Sequence, residues 1–196
     1  MSDTLFGSTN RNQPVEGAGK GSGIGGHSKA NRGGSDAWLT PPEIIEALGP
    51  FDLDPCCEPV MPWRTAKQML TNKPLNNEMV YSVPDGCDWS LWDGFVWLNP
   101  PYSDIARWMA AMAEHGYGIA CVFARTETRW FHEHVWPCAS SLLFLRGRPH
   151  FHHPDGTRAK GNSGGPIVLV GYGAKARNRL SDAAETGTLE GKLVTL

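Results

Sequence analysis

The apolar residues of this chain fall into short clusters that begin only after residue 34. Residues 1–34 are rich in Gly, Ser and Asn, a composition that predicts a flexible tail. Residues 35–180 carry the apolar clusters and are predicted to form one folded domain. Residues 181–196 are mostly polar, so we expect a polar C-terminal tail there.

Caps and apolar spacing predict the first elements of the domain. Thr40 and Glu43 match a capping box, and Pro41 suits the first helical position, so a helix is expected to run from there to Gly49. Residues 51–54 alternate between apolar and acidic side chains, which predicts a short strand.

Strands and helices then alternate along the chain. The spacing of Trp63, Ala66, Met69 and Leu70 predicts a short amphipathic helix. A clearer helix is predicted to begin with Ser103 as its N-cap and to end at Gly116. Buried strands are predicted at 95–98, 118–124, 142–145 and 167–170, the last of them being the final strand. The alternation predicts an α/β fold.

The loop after the predicted strand 95–98 carries the strongest chemical signal. Asn99-Pro100-Pro101-Tyr102 cannot continue a strand, and ligands bind at the carboxyl ends of strands in open α/β sheets. The Asn99 side-chain oxygen and the Pro100 carbonyl can accept both hydrogens of a planar amino group, while Tyr102 stacks on its ring. Such a grip frees the nitrogen lone pair to attack a methyl donor. A simple Pro-Pro turn is the alternative.

Composition narrows the function classes. The 196 residues, 40% of them hydrophobic, are enough for one domain with a full core. The five cysteines are odd in number and form no CxxC pair, which predicts reduced thiols rather than disulfides or a zinc ribbon. No apolar run approaches ~18 residues and no signal-peptide pattern begins the sequence, so we expect a soluble, cytoplasmic protein without membrane partners.

Basic side chains are concentrated in one segment, although the formal net charge is only −2. Residues 125–179 contain nine Lys and Arg against three acids, whereas residues 1–100 contain seven bases against twelve acids. Such a segment can bind a polyanion, and a solvated charged face is the alternative. The candidate nucleic-acid contacts are Arg125, Arg129, Arg146, Arg148, Arg158 and Lys160, most of them in an exposed basic loop that begins at residue 146.

Two further patterns do not support a site. Gly21, Gly23 and Gly26 match GxGxxG, but neither a strand before them nor a helix after them is predicted, so we reject a dinucleotide fingerprint. The three histidines at 150, 152 and 153 lack a cysteine or carboxylate at ligand spacing, and we predict no metal.

The order of these motifs resembles that of the phage-type DNA N-6 adenine methyltransferases, the Dam-like family. The resemblance covers residues 36–151, about three-fifths of the chain, and its most specific part is Asn99-Pro100-Pro101-Tyr102. It implies a Rossmann-like, mostly parallel sheet with helices on both faces, and S-adenosylmethionine as cofactor. The cofactor-binding residues that it implies are Trp38, Thr40, Pro41, Asp54, Pro55, Cys56 and Asp88. Asp88 could equally be a turn cap, and Cys57-Glu58-Pro59 departs from the glycines that usually follow the acid of the first motif.

The family implies methylation of adenine N-6 in double-stranded DNA, with the target base flipped out of the duplex. The methyltransferase domain would be residues 35–180, acting as a monomer or homodimer. RNA or protein-glutamine amino-methyltransferases, which use a similar loop, are one alternative. A non-catalytic DNA-binding module of the same fold is another, and the missing glycines after Asp54 favour it.

Overall fold

The computed structural model describes residues 37–74 and 80–196. The predicted tail at 1–34 and the rejected GxGxxG segment lie outside these residues. In the described part of the chain the helices are α1 (Pro42–Leu48), α2 (Ile105–His115), α3 (Arg129–His134) and α4 (Gly173–Glu185). The strands there are β1 (Leu53–Asp54), β2 (Gln68–Thr71), β3 (Tyr81–Ser82), β4 (Val96–Leu98), β5 (Gly118–Phe123), β6 (Ser141–Leu145), β7 (Ile167–Tyr172) and β8 (Gly191–Thr195).

All of these strands join one sheet in the order β3-β2-β1-β4-β5-β7-β6-β8. The neighbours from β3 to β5 pair in parallel, whereas β7 is antiparallel to both β5 and β6, and β8 is antiparallel to β6. The α/β class is therefore confirmed, but the sheet is mixed. The expectation of a mostly parallel sheet misses the antiparallel pairing at the β7–β6–β8 end.

Alternate residues of the central strands face two separate cores. On β5, Ala120 and Val122 pack in the core that α2 and α3 cover. The residues that alternate with them, Ile119 and Cys121, pack in the core that α1 and α4 cover. This two-residue period is that of a strand buried on both sides, and it confirms the prediction of helices on both faces.

The helix predicted at residues 63–70 is wrong. Residues 68–71 form β2, in which Met69 pairs in parallel with Asp54 of β1 and Leu70 with Tyr81 of β3. A short apolar run suits either element, and here burial between two neighbouring strands decides for the strand.

The polar tail predicted over residues 181–196 is also wrong, and 167–170 is not the last strand. Residues 181–185 complete α4, and β8 pairs along its whole length with β6. α4 buries mainly small side chains, Ala176 and Ala183 beside Leu180, and only Leu193 of β8 is half-buried. Because so few large apolar side chains are buried, the apolar pattern is too weak to predict either element from the sequence.

The capping box predicted at Thr40 does not form. α1 begins at Pro42 with Pro41 at its N-cap, and no side chain caps the helix. Thr40 is instead buried, and its Oγ1 atom has no hydrogen-bond partner. The helix is still confirmed, because Ile44, Ile45 and Leu48 are buried and Gly49 follows them.

Candidate active site

A cleft opens at the edge of the sheet where β1, β2 and β4 end. Because these strands pair in parallel through β1, their carboxyl ends meet at this edge. The lining residues contributed by these ends are Asp54, Pro55, Cys56, Cys57 and Glu58 after β1, Thr71, Asn72 and Lys73 after β2, and Asn99 and Pro101 after β4. Trp38, Leu39 and Thr40 form another part of the wall. The structure thus brings Asn99 and Pro101 of the predicted catalytic loop together with most of the predicted cofactor residues, whereas Pro100 and Tyr102 do not line the cleft.

Asn99 is held in one orientation at the end of β4. Its Nδ2 atom donates a 2.7 Å hydrogen bond to the Trp38 main-chain carbonyl. The side chain is half-buried and lines the cleft. Since the amide nitrogen is engaged by Trp38, Oδ1 is the acceptor that Asn99 can offer to an amino group.

The rest of the loop is rigid. Pro100 is buried and Pro101 lines the cleft. The Tyr102 hydroxyl accepts a hydrogen bond from the Phe123 main-chain N–H, and the two rings pack at 4.6 Å between centroids. Burial raises the pKa of Tyr102 above its ordinary value, so this side chain is a neutral aromatic surface rather than a base.

Asp54 places a carboxyl group in the cleft where β1 ends. The side chain is only 4% exposed, accepts a 2.5 Å hydrogen bond from Thr65 Oγ1, and accepts one of 3.2 Å from the Cys56 N–H. Burial raises the pKa of Asp54 to about 6, against the opposing effect of these two hydrogen bonds. A buried carboxyl whose pKa is raised by burial is typical of ligand-binding and active sites.

The loop after β1 is tied to its neighbours by two thiols and an ion pair. Cys56 Sγ donates to the Asn99 carbonyl at 3.4 Å, and Cys57 Sγ donates to the Leu70 carbonyl at 3.1 Å. Burial raises the pKa of both thiols, so they stay protonated as donors. Glu58 forms a 2.6 Å ion pair with Lys73, which follows β2.

Asp88 does not line the cleft. It is exposed and caps the short 3-10 helix Trp89–Leu91, where it accepts a 3.2 Å hydrogen bond from the Ser90 N–H. The acid at this part of the wall is Asp85, which pairs with Arg107 of α2, and both residues line the cleft.

The sequence contained a signal for Asp85 that the motif comparison missed. Asp85 lies in Pro84-Asp85-Gly86, a typical turn signature. A Cβ at Gly86 would lie 2.4 Å from the Pro55 carbonyl oxygen and 2.7 Å from the Trp108 ring, so only glycine lets this turn approach the loop after β1.

The segment before α1 contributes unevenly to the cleft. Trp38 is 37% exposed and lines the cleft with Thr40, whose buried Oγ1 atom lacks a partner. Pro41 does not line it and serves as the N-cap of α1. Two of the three residues predicted here therefore reach the cleft.

The predicted basic loop is a hairpin. Its two arms pair through hydrogen bonds from His153 N to Thr157 O at 2.9 Å and from Ala159 N to Phe151 O at 2.8 Å. We call residues 148–160 the basic hairpin. Arg158 and Lys160 are exposed on it, whereas Phe151 and Ala159 are buried. The exposure predicted for this loop therefore holds for its charged residues but not for the whole segment.

The other candidate DNA contacts already have partners within the chain. Arg125 lies over the Tyr102 ring at 5.5 Å from its centroid. Arg129 pairs with Glu133 at 2.7 Å, Arg146 with Glu190 at 3.5 Å, and Arg148 donates to the Gly164 carbonyl at 3.3 Å. Arg158 and Lys160 of the basic hairpin are therefore the better-placed cations for a polyanion.

Comparisons with known proteins agree with the geometry of the cleft. A family model described as DNA N-6-adenine-methyltransferase (Dam) matches residues 27–183. No curated protein and no solved structure matches the chain. Among the described residues, no group of three or more His, Cys, Asp or Glu side chains could hold a metal ion. Within the same residues, no helix has the length and apolar character needed to cross a membrane.

Proposed function

This chain belongs to the DNA N-6-adenine-methyltransferase (Dam) family, and on that premise we propose that it transfers the methyl group of S-adenosylmethionine to adenine N-6 in double-stranded DNA. The observation that carries the proposal is the cleft that Asp54 shares with Asn99 and Pro101 of the Asn99-Pro100-Pro101-Tyr102 loop. Membership of the family makes the chain a DNA adenine methyltransferase. The methyl donor, the base flipping, the site specificity and a Rossmann-like description of the sheet are parts of the proposal.

The cleft offers a donor set that fits S-adenosylmethionine. The Thr40 hydroxyl is buried without a partner, which is costly unless a ligand satisfies it. Asp54 and Glu58 supply acceptors for hydroxyl and amino groups, and the half-exposed Trp38 supplies an aromatic surface. When bound, this cofactor supplies an electrophilic methyl group on a sulfonium centre.

The loop after β4 would hold the methyl acceptor. Asn99 Oδ1 and the Pro100 carbonyl accept the two hydrogens of the adenine amino group and so direct its lone pair towards the cleft. Tyr102 is fixed by its bond to the Phe123 N–H, and in our proposal the base stacks on its ring, over which Arg125 now lies at 5.5 Å from the centroid. The target base reaches this surface only after it leaves the duplex, and stacking contributes about 1–3 kcal/mol.

Proton removal needs no strong base in this mechanism. The methylated nitrogen is acidic once the new bond has formed, so its proton can pass to solvent or to a nearby acceptor. Asp54, with a pKa of about 6, is a component of the cofactor side of the cleft rather than the base.

DNA would be held next to the cleft by the basic hairpin. Arg158 and Lys160 are exposed there, and such side chains bind phosphates or guanine edges. So small a recognition element favours a short target sequence, read by a monomer or by a homodimer.

Methyl transfer from tritiated S-adenosylmethionine to matched substrates tests the proposal. We expect label in unmethylated duplex DNA, and none in the same duplex when N-6-methyladenine replaces its target adenines. Label in RNA or in protein, and none in DNA, would show that the substrate is RNA or protein instead of DNA. Absence of heat in calorimetric titration with S-adenosylmethionine would identify a non-catalytic DNA-binding module, the alternative that Cys57-Glu58-Pro59 favours.

A further inference from the structure

The main chain at Trp38 contacts the proposed catalytic loop in a way that the family motif does not explain. The Trp38 carbonyl accepts the Nδ2 hydrogen of Asn99 at 2.7 Å, across a sequence separation of 61 residues. A main-chain carbonyl is an acceptor under all conditions, so the atom facing it must carry a hydrogen.

This carbonyl is itself held in place by the basic hairpin. Leu39, the next residue, exchanges two 2.9 Å main-chain hydrogen bonds with His152. The Trp38 ring packs against His153 with 5.0 Å between centroids. The peptide that orients Asn99 is therefore anchored on an element that lies outside both the catalytic loop and α1.

The hairpin also packs against the segment that contains Pro62 and Trp63. The His152 ring meets Trp63 edge to face at 5.2 Å, and a Cβ on Gly156 would lie 3.2 Å from Pro62. These contacts leave the hairpin little freedom to shift at His152, so the Trp38 carbonyl is a fixed acceptor.

We infer that the Trp38 main-chain carbonyl is a positioning group that makes an amide obligatory at position 99. The inference rests on the proposed function and adds a rule for that site. An aspartate there would set an ionised oxygen against the carbonyl with no hydrogen between them, and the side chain would turn away from the amino group. A protonated aspartic acid could donate to the carbonyl and keep its other oxygen as the acceptor, as the amide does.

Several titratable or charged groups face this site and must be controlled for. Asp54 and Cys56 lie beside it at the end of β1, and His153 packs on the Trp38 ring. The other charged side chains of the same cleft are Glu58, Lys73, Asp85, Asp104 and Arg107. Because all of them are present in both wild type and Asn99→Asp, the ratio of the two activities at each pH cancels their shared titrations. The nearby carboxyl of Asp54 further disfavours a second negative charge.

The test is the ratio of kcat for Asn99→Asp to kcat for wild type between pH 5.5 and pH 7.5. We expect Asn99→Asp to be as poor as Asn99→Ala at pH 7.5, and the ratio to rise by about tenfold or more towards pH 5.5 as the carboxyl protonates. A ratio that does not change with pH, or an Asn99→Asp variant as active as wild type at pH 7.5, would overturn the inference. Absence of turnover by wild type would overturn both the proposed function and the inference. Turnover by wild type with a ratio that does not change with pH would overturn the inference alone, so the two failures are distinguishable.

A pair of variants at His152 tests the anchor without changing Asn99. His152→Ala and His152→Pro both remove the imidazole, but only proline also removes the N–H that bonds to the Leu39 carbonyl. We expect His152→Pro to lose about tenfold in kcat relative to His152→Ala, with a similar KM for DNA and a cooperative thermal transition in both. Equal kcat values in two folded variants would contradict the anchoring role.

Discussion

Asp54 links the protonation of one buried carboxyl to the stability of the whole chain. Its pKa is raised from 3.8 to about 6, so the folded state favours the neutral form. Protonated Asp54 therefore stabilises the fold. Its contribution to the unfolding free energy is complete at pH values below 4 and is lost as the pH rises through 6. A ligand that needs the ionised carboxylate would offset this loss.

Asp54→Asn isolates that contribution. Relative to the variant, wild type is expected to lose about 2 kcal/mol of unfolding free energy between pH 4 and pH 7, since each pKa unit corresponds to about 1.4 kcal/mol. Denaturant unfolding of both proteins at a series of pH values measures it. Parallel pH profiles for wild type and variant would show that Asp54 is not a strained carboxyl.

At the same scale, residue positions that depend on local sequence were predictable, and those that depend on distant partners were not. The loop position of Asn99 and Tyr102 follows from a strand that stops at two prolines, while their proposed roles stay predictions. Thr40 satisfies the pattern of a cap and yet is buried against the cleft without capping. Asp88 and Asp85 are three residues apart, and the close contact of Gly86 with Pro55 decides which acid reaches the cleft.

The basic hairpin is the element on which we propose that DNA binding depends. Arg158→Ala with Lys160→Ala should reduce the slope of log K against log salt by about 2, because each phosphate contact contributes about 0.9. Binding of a duplex at several salt concentrations measures this slope. Arg177→Ala with Lys192→Ala, which removes two exposed cations from α4 and β8, is the matched control and should leave the slope unchanged. Equal slopes for wild type and the hairpin variant would place the DNA elsewhere.

Elements were predictable wherever large apolar residues gave a clear period. β4, β5 and α2 are of this kind, with Trp97, Ile119 and Met109 respectively fully buried. β2 was mistaken for a helix because four residues of apolar spacing suit both structures, and only pairing with β1 and β3 separates them.

At the scale of the whole molecule, β8 completes the sheet that positions the cleft. It pairs with β6 over five residues, from Gly191 with Leu145 to Thr195 with Ser141. Its side chains are mostly exposed, so its contribution lies in main-chain pairing that composition does not reveal. The mixed direction of the sheet has the same origin, because pairing partners are set by tertiary structure.

Truncation after Glu190 tests this role of β8. Loss of the strand and of the Leu193 packing is expected to cost about 2–3 kcal/mol, which lowers Tm by about 5–10 °C for a chain of this size. Thermal unfolding followed by circular dichroism measures it, and Lys192→Ala, exposed on the same strand, should keep the wild-type Tm. An unchanged Tm in the truncated protein would mean that 191–196 is a tail after all.

The most direct test of the account is methyl transfer by Asn99→Ala compared with wild type, on unmethylated duplex DNA with labelled S-adenosylmethionine. Asn178→Ala, an exposed asparagine of α4, is the control. Wild type and Asn178→Ala should form N-6-methyladenine, while Asn99→Ala should lose at least about a hundredfold in kcat, as expected when one preorganised polar group is removed from a transition state. Its affinity for cofactor should change little. Turnover by Asn99→Ala close to that of wild type would contradict the claim that this loop holds the adenine amino group.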